Sequence, residues 1–225
     1  MLGVIVNTCT VIIGSIAGLF AKNNIPEKIS DSIMKAIGLC TIYIGISGAL
    51  EGTNTLILII SVVIGSLIGE IINIDKAINK VASRVEKKFS KGNNTSVAQG
   101  FLTASLLFCI GSMTFVGSLQ AGLNGNNDML LTKSVLDLIS STVLSATLGI
   151  GVLCSSVFVL FFQGGLVLLS GVIAPLFSSY VISEITCVGS VLVIGLGFNI
   201  LGITKLKCAN FLPAIFIPII LCMFM

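Results

Sequence analysis

Residues 133–148 read KSVLDLISSTVLSATL. The polar bend NGNND, residues 124–128, precedes them, and behind them the chain stays apolar to about Leu176. At about 100° per residue, Lys133, Asp137, Ser140 and Ser141 fall within about a third of a helix circumference. The rest of that helix is mostly Val, Leu, Ile and Ala. A helix of this kind, continued by so long an apolar run, belongs in a bilayer. An ionisable residue there costs at least about 2.5–3.5 kcal/mol at the centre and less near the interface, so it normally faces a partner helix, a cavity or a pathway.

Composition carries the same reading to the whole chain. Of the 225 residues, 55% are hydrophobic and 9% charged, whereas an ordinary soluble domain is about 25% charged. A soluble core this apolar would lack polar surface to cover it. At about 20 residues per spanning helix, the length allows at most eight or nine spans with short loops. One integral-membrane domain, residues 1–225, is therefore expected.

The apolar runs mark the spans. The first covers residues 3–21, and the basic residues that follow it make it an uncleaved span rather than a signal peptide. The second ends near residue 50 and begins within the basic linker 22–36. The third is 55–73 and the fourth about 99–122. The 47 residues from Leu130 to Leu176 hold two more, with the break expected near Gly149–Ser156. The last two cover about 184–203 and about 209–225. The fold class is thus all-α, a polytopic bundle of about eight spans.

Residues 74–91 differ in kind. Ile74, Ile78, Val81, Val85 and Phe89 form one stripe, opposite Lys76, Lys80, Arg84, Lys87 and Lys91. That pattern fits an amphipathic helix on an anionic membrane surface, and equally a solvated linker helix.

Basic residues sort to one side of this topology. Lys22, Lys28, Lys35, Lys76, Lys80, Arg84, Lys87, Lys88, Lys91, Lys205 and Lys207 follow odd-numbered spans, and Lys133 alone follows an even one. The positive-inside rule then puts the basic loops, with Ser90 among them, in the cytoplasm and both termini outside. The net charge of +3 is no nucleic-acid signal, because it lies in these loops.

One likeness suggests a repeat of two helical hairpins, or else a coincidence among Ile, Gly and Ser in apolar helices. Residues 11–18, VIIGSIAG, resemble residues 62–69, VVIGSLIG, and each opens a pair of spans, 3–52 and 54–125. Gly14 with Gly18, and Gly65 with Gly69, have the GxxxG spacing of close helix packing.

Three stretches carry a family resemblance: CIGSMTFVGSLQAGL (109–123), KSVLDLISSTVLSATLGIGV (133–152) and FFQGGLVLL (161–169). Together with the N-terminal GVIVNTCTVIIGSIAGLF, they resemble the YdfK/YqgA-like bacterial membrane proteins, domain of unknown function 554. The resemblance covers nearly the whole chain. It implies a multi-pass bacterial inner-membrane protein, often labelled a transporter, and brings no substrate. Where that family tends to have an acidic residue at the end of the fourth span, this chain has Gln120-Ala121.

The candidate chemistry is sparse. Lys133 and Asp137 are spaced for an i, i+4 ion pair, with Ser140 and Ser141 one turn deeper. They form a coupling or substrate site, or else Lys133 snorkels to the outer interface with Asp137 as its counter-ion. Asn7, Ser112, Thr114, Gln163 and Asn199 are the other polar candidates for a solute or ion pathway. Gln163, beside two glycines, marks a candidate broken helix. The seven cysteines are scattered singly with no zinc spacing, and there is no histidine. No cofactor, metal site, enzymatic activity or nucleic-acid partner is expected. The partners are the bilayer and a small solute or ion, with homo-oligomerisation left open. Transport, secondary or passive, is the leading reading. The alternative is a non-transporting scaffold or sensor, which would hold its polar groups in a dry, fully paired cluster.

Overall fold

The computed structural model describes residues 1–22, 27–89 and 97–224, and among these the chain is helical with no strand. Four helices lead: α1 (Leu2–Lys22), α2 (Glu27–Ala49), α3 (Thr55–Ile72) and α4 (Ile74–Phe89). Next come α5 (Val97–Cys109), α6 (Ser112–Leu123), α7 (Asp128–Leu148), α8 (Ile150–Leu168) and the single turn α9 (Ser170–Ile173). The chain closes with α10 (Ser179–Ile200), a 3-10 segment Cys208–Phe216 and α11 (Ile217–Leu221). Six of these helices are long and apolar enough to cross a membrane, and a seventh span results if the bent pair α5–α6 is one. An all-α polytopic bundle is what is observed.

Local chemistry sets the boundaries. Asn54 caps α3 by accepting from the Leu56 N–H, and Ser178 caps α10 by accepting from the Val181 N–H. Asn73 ends α3 in the left-handed region, φ 57°. The long apolar run breaks at Gly149, which has φ 74° and ψ −152°. Only glycine adopts that backbone without strain, and so one residue suffices to turn α7 into α8.

The chain folds as two compact units, Met1–Ile33 with Ala82–Ala174 and Met34–Val81 with Pro175–Met225. In the first unit α1 and α7 run parallel: Gly3 lies against Leu130, Gly14 against Leu138 and Ser141, and Gly18 against Thr142 and Ala146.

The fourth span departs from the expected continuous helix. It breaks at Ile110–Gly111, and α5 and α6 meet at 60°. The pair still runs the whole length of α8. Gly151 of α8 faces Val97 and Phe101 near one end, and Gly122 of α6 faces Val167 and Ser170 at the other. The bend is therefore an interruption within one pass rather than a hairpin that returns. The expected break at Gln163 is absent, since α8 is continuous from Ile150 to Leu168 through both glycines. Intrahelical hydrogen bonding tolerates glycine; α5–α6 breaks where Thr114 instead donates its hydroxyl back to the Phe108 carbonyl at 3.1 Å.

In the second unit α2 runs antiparallel to α10: Gly38 lies against Leu201, Gly45 against Ile194 and Gly48 against Ser190. Here the GxxxG pair of α3 meets the C-terminal segment, Gly65 on Ala214 and Gly69 on the Asn210 carbonyl. The expected eighth span is not a regular α-helix. Pro213 lies within its nine residues of 3-10 helix, and proline cannot donate an i to i−4 hydrogen bond. At about 2.0 Å rise per residue, those nine residues cover about 18 Å, more than the same length of α-helix. From Asn210 beside Glu70, the segment extends along α3.

The helix expected over 74–91 forms as α4. Ile74 and Ile78 are half-buried and Lys76 and Lys80 exposed, as the described part of the stripe requires. The side chains of Val81, Arg84, Val85, Lys87, Lys88 and Phe89, and residues 90–91, lie outside the described ones.

Candidate functional site

The helix α7 begins at Asp128, upstream of the apolar run that marks it in the sequence, and so Asp137 is the tenth of its 21 residues. That places it half way along the span, where a charge costs most, rather than at the interface. Lys133 is 6% and Asp137 5% exposed. The Lys133 ammonium pairs with Asp137 Oδ2 and lies 5.9 Å from the centroid of the Phe108 ring. It thus turns inward rather than snorkelling to solvent. Phe108 is in the last turn of α5, and Thr114, in the first turn of α6, binds its carbonyl. The ion pair therefore abuts the interruption in the broken span.

Two further passes complete the cluster. Asn7 of α1 donates from Nδ2 to Asp137 Oδ2 at 3.0 Å and to Gln163 Oε1 of α8 at 3.1 Å. Asn7 and Gln163 are both fully buried. The network is incomplete, because Asn7 Oδ1 and Gln163 Nε2 are buried with no partner among the described residues. A buried unpaired polar atom costs about 1–3 kcal/mol, and these two belong to side chains in direct contact.

The remaining candidates divide. Ser112 is the half-buried first residue of α6, at the break. Ser141 is buried, bonds the Leu138 carbonyl and faces Gly14, a packing position one turn from Asp137. Ser140 is exposed and joins nothing. At about 100° per residue it lies about 60° to one side of Asp137 and Ser141 about 40° to the other, and α1 packs on the Ser141 side. Asn199 belongs to the second unit, where it orders the loop after α10. Its amide donates to the Leu206 carbonyl at 2.7 Å and accepts from the Leu206 N–H at 2.9 Å and the Thr204 hydroxyl at 2.8 Å.

Residues 2–223 match the family described as "Protein of unknown function (DUF554)". The chain belongs to the DUF554 family. It is 38% identical to the "Uncharacterized membrane protein YdfK" of Bacillus subtilis over 222 residues, 97% of this chain and 94% of that one. It is 27% identical to the "Uncharacterized protein YqgA" of Escherichia coli over 219 residues, 96% of this chain and 93% of that one. No solved structure matches the chain. Family, relatives and apolar helices together make this DUF554 chain a multi-pass membrane protein.

The second unit of the DUF554 chain holds a buried carboxylate that the sequence reading passed over. Glu184, fully buried on α10, accepts through Oε1 from the Thr53 N–H at 2.7 Å, the Thr53 hydroxyl at 3.1 Å and the Asn54 N–H at 3.0 Å. These donors lie at the N-terminus of α3, where the helix dipole favours a negative charge. The signal was an acidic residue between Val181 and Val193 in an otherwise uncharged run.

Proposed function

We propose that this protein moves a small solute or ion across the bacterial inner membrane, secondarily or passively, through the unit that holds Asp137. The observation that carries this reading is the Lys133–Asp137–Asn7–Gln163 cluster, half way along α7 and beside a broken span. Interrupted spans that meet polar side chains near the bilayer midplane are how many transporters build binding sites. The scaffold reading calls for a fully paired cluster, and two amide atoms of this one lack a partner among the described residues. The activity proposed is not enzymatic.

The test is flux through liposomes holding the full-length chain, with potassium, sodium, proton, chloride and urea as probes. Asp137→Asn keeps the hydrogen bond from Asn7 in reach and removes the charge. It is expected to lower whichever flux the native chain supports by at least about tenfold, the worth of about 1.4 kcal/mol. Ser141→Ala, at a packing position, is expected to change that flux little. Undiminished flux through Asp137→Asn would reduce the residue to a counter-ion. Liposomes as tight as protein-free ones would favour the scaffold.

The same reading places both termini outside and the basic loops in the cytoplasm. In a cysteine-free background, an impermeant thiol reagent on intact cells is expected to label Glu51→Cys, in the exposed turn after α2, and to spare Lys76→Cys, exposed on α4. The reverse pattern would invert the topology.

A further inference from the structure

The charges and amides of the cluster orient one another in a single direction. The Asp137 carboxylate offers only acceptors, and so Asn7 must turn its Nδ2 toward it. The same Nδ2 meets Gln163, which must therefore present Oε1. Turning either amide over would set oxygen against oxygen, or nitrogen against nitrogen. The unpaired atoms that result, Asn7 Oδ1 and Gln163 Nε2, are thus imposed by the ion pair. They are one acceptor and one donor on side chains in direct contact.

Charge and space narrow what would pair with them. Lys133 and Asp137 neutralise each other, and the atoms on offer belong to neutral amides. A bare ion would arrive in a low-dielectric interior with no counter-charge to meet it. Beside Gln163, Gly164 is buried, yet a Cβ built on it would meet only the Met1 methyl, at 3.9 Å, and one built on Gly111 at the break would meet nothing within 4 Å. Elsewhere in this unit Gly14, Gly18 and Gly151 are pressed against neighbouring backbone. Among the described buried glycines of this unit, Gly164 alone leaves a Cβ clear of close contact.

Resting on the transport reading above, we infer that the solute is a small net-neutral molecule with an amide-type pair of hydrogen-bonding groups, of the urea or simple carboxamide class. Its N–H donates to Asn7 Oδ1 and its carbonyl accepts from Gln163 Nε2. The amides thus supply recognition, and the ion pair holds them in the orientation that recognition needs.

The experiment is stopped-flow light scattering on liposomes holding the full-length chain, with urea and acetamide as probes and osmotic water, potassium and chloride fluxes measured alongside. Urea and acetamide are expected to equilibrate faster than in protein-free liposomes. Gln163→Leu, which removes the donor, is expected to slow both about tenfold, the worth of about one hydrogen bond. Gly164→Val fills the open space without touching the network, so it keeps the inference testable if Gln163→Leu fails to fold; it is expected to slow both probes comparably. Rates unchanged in a folded Gly164→Val would overturn the inference. Potassium or chloride flux without urea flux would leave the transport reading standing and overturn the solute class. Water permeation alone would also overturn it. No flux of any probe would overturn both.

Discussion

Lys133→Met is expected to destabilise the folded protein by about 3–5 kcal/mol, the cost of breaking a buried pair by removing one partner. The double variant Lys133→Met with Asp137→Leu is expected to recover most of that loss, because two apolar side chains of similar volume need no counter-charge. The reciprocal single change is expected to be milder. Lys133 is five residues from the start of α7, about 7.5 Å along the axis, and its long stem can carry the freed ammonium outward. Asp137 is short and half way along the span, and it has no such escape. Reversible unfolding of the four proteins in mixed micelles measures the cycle. A Lys133→Met variant within about 1 kcal/mol of native stability, typical of an exposed pair, would show that the ammonium resides in water.

The second large effect is expected at Glu184. Replacing it with Ala strips three hydrogen bonds from Thr53 and Asn54 and leaves donors at the head of α3 without a carboxylate. Hydrogen bonds to a charged group are worth about 1.5–3 kcal/mol each and are not additive when one acceptor serves all three. A loss of about 3 kcal/mol is expected, with Glu184→Gln losing about half as much because its amide oxygen still accepts. The disturbance should be local first. Thr53 and Asn54 link α2 to α3, so hydrogen exchange of the first turn of α3 should accelerate in Glu184→Ala before any change in α7. Unchanged protection there would assign Glu184 some other role.

These expectations turn on geometry that is only partly visible in the sequence. The i, i+4 spacing of Lys133 and Asp137 is a local property, and the pair forms as spaced. The cap at Asn54, the chain reversal at Gly149 and the sorting of basic residues into loops are local in the same sense. Each depends on a few neighbouring residues and on the cost of leaving a polar group in lipid. The glycine spacings of α1 and α3 announced close packing, and both pairs are packed closely, though nothing in them says against what: α7 for one, a proline-containing 3-10 segment for the other.

By itself, then, the sequence determined that this is an all-α membrane protein and that Lys133 and Asp137 share one face of a helix in it, because helix periodicity and transfer out of water act on consecutive residues. Tertiary structure alone decided what those charges meet. Asn7 and Gln163 stand 130 and 26 residues from Asp137 and reach it only because α1, α7 and α8 pack together. The choice between Ser140 and Ser141 was made by the side on which α1 lies, and the fourth span breaks at Gly111, where Thr114 binds the Phe108 carbonyl, rather than at the more conspicuous glycines at 164 and 165. Periodicity specifies a face. Which neighbour covers that face depends on how side chains from distant segments fill space together, and no single segment contains that information.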